Sequence, residues 1–267
     1  MPTPHANPGG VSYPLFQFAY CGQFQKHLQG LQKLALGEPW EFRSTGNSSA
    51  SLQILFNYVH HTFKRIKEEY DELPQEMKNG KICISNQYAC FNTGLFTEYF
   101  EPIYGLFTEN RNPRAINPWY LLGFYKHSDR ELSKFEKLPS RAEYFKDISD
   151  LIFDYRLDIR VDLVHILDHN SVRLPQDLKE VTQLEGAINL AKKRVASNYR
   201  LAVPQYYEGM VQLLLPIFAR ASATTVPLVV YKTNSFYVGK TVLTIEMAYN
   251  NARLIARPDS DWLSIAP

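Results

Sequence analysis

In residues 153–164, FDYRLDIRVDLV, apolar and charged side chains alternate without a break. Phe153, Tyr155, Leu157, Ile159, Val161 and Leu163 share one phase, and Asp154, Arg156, Asp158, Arg160 and Asp162 share the other. A period of two predicts a strand over 153–164, with Tyr155, Ile159 and Val161 buried and Asp154, Asp158 and Asp162 in water. A wet face favours an antiparallel sheet over a parallel one covered on both sides.

Elsewhere the period lengthens. In SSASLQILFNYVHHTFKRIKEEY the apolar residues Leu52, Leu55, Phe56, Val59, Phe63 and Ile66 follow helical spacing, with Ser48 or Ser49 as cap and Pro74 as stop. PQDLKEVTQLEGAINLAKKRVASNY predicts a long helix capped by Asp177, with Leu178, Val181, Leu184, Ile188, Ala191 and Val195 inside. A further helix is expected to begin at Pro204 and carry Met210, Val211, Leu214 and Phe218. KICISNQYACFNTGL follows a turn at Gly80 and suggests a strand running into a sharp turn at Asn92-Thr93-Gly94, and WYLLGFY has the length of a buried strand. VPLVVYK and FYVGKTVLTIE flank TNS as a hairpin. Helices and strands mix without a βαβ rhythm, so the expected class is α+β, a mixed or mostly antiparallel sheet packed against several amphipathic helices. Residues 1–12, rich in Pro and Gly, suggest a flexible lead-in. No internal repeat or linker is visible beyond it, which suggests one domain over 13–267.

Composition narrows this little. Hydrophobic residues make up 45% and charged residues 21%, ordinary values that exclude wholesale disorder. A net charge of +2 neither requires nor forbids a nucleic-acid partner, because a basic site can be local. Cys21, Cys83 and Cys90 lack C-x-x-C spacing and suggest reduced thiols and a cytoplasmic home. No apolar run approaches the ~18 residues of a membrane span, and the first residues do not read as a signal peptide.

Phosphate-loop, dinucleotide-binding, zincin and nucleophile-elbow motifs are absent, which argues against those enzyme classes. What remains are polar groups in unusual places. His165 and His169 stand four apart in HILDHNSVRLP, beside Asp168 and Asn170. They suit a metal pair or an acid/base histidine held by a carboxylate, or His165 continues the inner phase of the strand as a core residue. His60 and His61 sit on a helix that supplies core residues, which suggests a structural role. Lys192, Lys193, Arg194, Asn198 and Arg200, followed by Tyr206 and Tyr207, could track a phosphate backbone and stack bases, or simply complement a helix C-terminus. In EMAYNNARLIARP, read as a helix, Asn250, Arg253 and Arg257 fall at i, i+3 and i+7 with Tyr249 beside Arg253, while Met247, Leu254 and Asn251 turn the other way. Such a face suits phosphate and base edges, unless Arg253 pairs with a carboxylate such as Asp154 and Asn251 bonds a loop.

FNTGLFTEYFEPIYGLF, HILDHNSVRLP, NYRLAVPQYY and GKTVLTIEMAYNNARLIARPDSDWL resemble the domain of unknown function 3825 family, in the family's order and from about Leu15 to Leu263. The resemblance implies an intracellular protein. Some members are joined to cold-shock-type or other RNA-associated modules, so RNA or nucleotides are implied by association. No such module is visible here, and one would act in trans. The matching segments hold Asn92, Thr93, His165, Asn170, Arg173, Asn198, Tyr206, Tyr207, Tyr249, Asn250, Asn251 and Arg253. If they converge, they suit metal-independent phosphodiester or phosphoryl chemistry with no cofactor: His165 or His169 as acid/base, and Arg253, Arg173 and Arg257 on phosphate. The reading is an RNA- or nucleotide-processing hydrolase or phosphodiesterase. The alternatives are a non-catalytic RNA-binding module using the tyrosines as stacking platforms, and a buried polar network that specifies the fold.

Overall fold

The computed structural model describes residues 13–42, 52–112 and 115–263; the 1–12 lead-in and the caps expected at Ser48 or Ser49 fall outside them. The chain divides into two compact units, Met1–Glu143 and Tyr144–Pro267. No linker marks the boundary in the sequence, which is why the sequence suggests one domain. The class is α+β, with two mostly antiparallel sheets.

The first unit contains α1 (Pro14–Phe18), β1 (Ala19–Tyr20), α2 (Phe24–Leu34), α3 (Gln53–Glu72), β2 (Ile82–Ser85), β3 (Tyr88–Phe96), β4 (Pro102–Glu109) and β5 (Trp119–Lys126). Its sheet runs β1-β5-β4-β3-β2, and only the β1–β5 pairing is parallel. The expected amphipathic helix is α3. Leu55, Val59, Phe63 and Ile66 are buried, and Phe63 packs edge-on against Phe91 of β3. On the sheet's other face, Leu132, Phe135 and Leu138 from the segment after β5 cover Cys83, Cys90, Tyr104 and Leu106.

The second unit contains β6 (Asp158–Val161), α4 (Leu163–Asn170), α5 (Val181–Ser197), β7 (Val203–Tyr207), β8 (Met210–Ala219), β9 (Thr224–Lys232), β10 (Phe236–Val242) and α6 (Ile245–Ile255). Its sheet runs β6-β10-β9-β8-β7, again with one parallel pairing, β6 with β10. The two units therefore repeat one plan: a short strand, two helices, and a four-stranded meander whose last strand returns beside the first. The helices repeat it too. α2 packs on β5 and α3 on β3, as α4 packs on β10 and α5 on β8. A repeat of topology leaves no sequence repeat to see, because burial constrains polarity rather than residue identity.

Four expectations need correction. The strand at 153–164 shrinks to β6, and Tyr155 is 64% exposed. Asp154 accepts from the Arg156 backbone N–H, which turns the chain before the strand, and Asp162 accepts from the His165 N–H, which caps α4 and ends it. The helix expected from Pro204 is instead the β7–β8 hairpin. Glu208 and Gly209 take φ of 47° and 84°, the left-handed pair of a two-residue turn, and glycine makes the second of these free of strain. Asp177 does not cap α5, which begins at Val181; its carboxylate accepts from Ala221 and Ser222. Asn92-Thr93-Gly94 is not a terminal turn but an irregularity within β3, where the register with β4 shifts. The hairpin around TNS, formed by β9 and β10, is present as expected.

Candidate functional site

Asn92 and Thr93 belong to the first unit and the other candidate residues to the second, and most are committed to the fold. Asn92 accepts from the Gly94 N–H at 2.9 Å and donates to the Pro139 carbonyl at 3.3 Å. The Thr93 hydroxyl donates to the Ile103 carbonyl at 2.7 Å, and its own carbonyl accepts from Tyr58. These bonds satisfy backbone groups that the irregularity in β3 frees from the ladder. They build a sheet, not a ligand site.

In the second unit, Asn170 is buried, and its Oδ1 accepts from the Thr241 hydroxyl and from the Val242 N–H at 2.9 Å. Arg173 donates to the Val242 carbonyl at 2.9 Å. Together they tie the end of α4 to the end of β10. Asn198 is exposed and accepts from the Arg200 N–H, capping a 3-10 turn. Lys192 donates to the Ile159 carbonyl at 2.5 Å, so it belongs to the packing of α5 on β6 and not to a free basic track. Asp154 pairs with Arg156 at 2.7 Å, and the hydrogen bond from that guanidinium holds the carboxyl down to about 2.

His165 and His169 are exposed on α4, with ring centroids 4.6 Å apart. The reading of His165 as an inner strand residue fails because the chain turns helical at Leu163, so phase along the strand no longer applies. His60, by contrast, is core. It is 1% exposed and enclosed by Tyr13, Phe16, Phe24 and Phe56, with neither ring nitrogen hydrogen-bonded.

α6 is the helix expected from EMAYNNARLIARP, capped by the Thr244 hydroxyl accepting from the Met247 N–H. Its facing differs from expectation. Tyr249 and Arg253 are buried, Met247 is exposed, and Arg257, just beyond the helix, is exposed. Asn250 is half-buried, and its Oδ1 is buried without a hydrogen-bond partner. Asn251 donates to Gln205 of β7 at 3.2 Å, and Gln205 donates to Gln212 of β8 at 2.8 Å. α6 packs on β7 and β9. Since Leu213 and Leu215 face α5 within the core, the alternation of β8 puts Gln212 and Leu214 on the opposite face, where α6 lies.

That face is only half covered. The cross-strand row Val203–Leu214–Val229 and the Pro216–Pro227 pair are buried, while the rows toward the β7–β8 turn are partly open. The adjoining row runs Gln205–Gln212–Tyr231–Val238–Arg160, placed by the registers of β7, β8, β9, β10 and β6; Gln205 is buried, Gln212, Tyr231 and Val238 are half-buried, and Arg160 is exposed. The next holds Tyr207, Met210, Phe236 and Asp158. Tyr207 and Met210 are about half exposed, at 49% and 50%. The Arg160 guanidinium sits 3.8 Å from the centre of the Phe236 ring. Of these residues only Tyr207 stood out in the sequence. Tyr231 and Phe236 flank the TNS turn, and Arg160 carries the polar phase of β6, but only the strand register puts them side by side. Tyr206 faces the other way and packs edge-on against Tyr144 at 4.8 Å. A hydrogen bond with Glu208 raises the Tyr207 phenol, with burial adding to it.

Among the described residues, no group of three or more His, Cys, Asp or Glu side chains converges, and no helix is long and apolar enough to cross a membrane. The fold and this face define an α+β protein with two similarly wound sheets, one of them bearing a partly open aromatic face. The family model described as Domain of unknown function (DUF3825) matches residues 31–262, and the chain belongs to that family. No curated protein and no solved structure matches it.

Proposed function

We propose that the second unit binds single-stranded RNA, as a non-catalytic module of the cytoplasm, through the open half of its sheet. The observation that carries this reading is the pair of adjacent rows holding Tyr207, Tyr231 and Phe236, with Arg160 against the Phe236 ring and the Gln212 amide alongside. Bases stack on exposed aromatic rings, and amides and guanidinium groups meet their edges and phosphates. Asp158 and Glu208 border the face, so stacking, rather than charge neutralisation, supplies most of the affinity. Of the groups named for phosphodiester chemistry, Arg173 is committed to the Val242 carbonyl and Arg253 is buried in α6, which favours binding over processing.

The test is fluorescence anisotropy with a short labelled single-stranded RNA over a salt series. Tyr231→Ala and Tyr207→Ala should each weaken binding by roughly 1–3 kcal/mol. Arg160→Ala should make the salt dependence shallower by about one phosphate contact. No binding by the parent protein at low salt would overturn the proposal. RNA cleavage lost in His165→Ala or His169→Ala would replace it with the processing reading.

A further inference from the structure

Apart from the sheet face, the described residues gather metal-ligating or nucleophilic chemistry in few places, and most are closed. Cys83 and Cys90 oppose each other across β2 and β3, but both are buried, and burial raises both thiols. A buried, protonated thiol is neither a ligand nor a nucleophile. His60 is walled in by aromatic rings. The pair on α4 is different, because it is open to solvent and already arranged.

His165 and His169 stand one helical turn apart on the same face of α4, with ring centroids 4.6 Å apart and ring planes at 51°. Two imidazoles at that separation can each place one nitrogen at the ~2.0–2.1 Å that a transition ion requires. The helix beneath them is held at both ends and along its back. Asp162 caps its first turn, Ile166 is fully buried in the core, and Asn170 is bonded to Thr241 and Val242. The backbone spacing is therefore set before any ion arrives, so binding has only the two imidazole side chains to order.

We propose that His165 and His169 chelate a late first-row divalent ion, Cu²⁺, Ni²⁺ or Zn²⁺, with two ligands from the protein. Imidazole nitrogen suits these ions, and hard oxygen-seeking ions such as Mg²⁺ and Ca²⁺ gain nothing from it. The remaining coordination positions fall to water or to a donor brought by another molecule. The site lies on α4 and depends on no residue of the sheet face, so it stands or falls separately from RNA binding.

The test is calorimetric titration of the full chain, pretreated with chelator, with NiCl₂ and separately with MgCl₂. One Ni²⁺ per chain is expected, weakened at least tenfold in His165→Ala and equally in His169→Ala, with no heat from Mg²⁺. Both side chains are exposed, so both variants should melt like the parent in chelator. A variant that melts lower is replaced by His165→Gln or His169→Gln at the same position. Nickel affinity unchanged in both variants would place any bound ion elsewhere and overturn the proposal. Absence of nickel binding in the parent would do the same.

Discussion

In the first unit, Phe63 of α3 packs against Phe91 and Phe107. In the second, Leu184, Ile188, Ala191 and Val195 of α5 share a core with Leu213, Leu215, Leu228 and Tyr237, in the same position of the same plan. The opposite faces diverge. Irregular chain carrying Leu132, Phe135 and Leu138 closes the first sheet over its cysteines. A helix, α6, packs on β7 and β9 of the second, on the face where Val203, Leu214 and Val229 are buried. One plan thus yields two sheets whose second faces are covered differently: Tyr20, Tyr120 and Leu122 stay exposed at the β1–β5 edge of the first, and Tyr207 and Met210 at the β7–β8 end of the second. The difference lies in the segment after each meander, not in the meander itself.

The sharpest way to break this comparison is a pair of glycines. A Cβ on Gly105 would lie 2.2 Å from a ring carbon of Phe91, itself stacked on Phe107 and edge-on to Phe63. A Cβ on Gly239 meets only ordinary contacts, at 3.4 Å and beyond. Gly105→Ala should cost about 3 kcal/mol or more in denaturant unfolding, and Gly239→Ala less than about 1 kcal/mol. Equal costs would mean that the first core is no tighter than the second.

Next comes acid. Burial, with a smaller contribution from the neighbouring His61, lowers the His60 imidazole from 6.5 to about 3. The folded state therefore favours the neutral ring. That stability is complete above 6.5 and is lost as pH falls toward 3, at up to about 1.4 kcal/mol per pH unit. Between pH 6.5 and about pH 5 the first unit should lose about 2 kcal/mol through this group. His60→Leu should flatten that part of the pH profile while costing less than about 1.5 kcal/mol at neutral pH. An unchanged profile would show that His60 is not what acid attacks.

In the second unit the corresponding weak point is a bond, not a ring. Asn170→Ala leaves the Val242 N–H without its acceptor and should cost about 1.5 kcal/mol, with faster hydrogen exchange at Val242 and along α4. The smallest effect concerns the turn between β3 and β4. Phe100 adopts φ of 60° and is 70% exposed, so its side chain contributes little packing to offset backbone strain. Phe100→Gly should stabilise the protein by about 1 kcal/mol, read as a higher thermal midpoint. A loss of stability would mean that the exposed ring contributes packing after all.

The elements legible in the sequence were those whose local signal and burial agree. α3 and α6 show helical spacing over several turns, and β9 and β10 are apolar runs on either side of a polar turn. The signal failed where short-range hydrogen bonds or a turn cut across a pattern. Asp154 and Asp162 carry the polar phase of an apparent strand yet serve as turn and cap, and Glu208-Gly209 splits an apparent helix into a hairpin. The candidate site was legible only as a set of residue types. Asn92, Thr93 and Asn170 read as ligand groups because polar residues amid apolar ones look functional, and in the fold they satisfy backbone groups instead. By itself the sequence determined the α+β class, the principal helices and the reach of the family resemblance, because these follow from periodicity and motif order along the chain. The repeated topology, the enclosure of His60 and the row that lines up Tyr231, Val238 and Arg160 were decided only by the tertiary structure, because strand register joins residues whose spacing along the chain carries no trace of it.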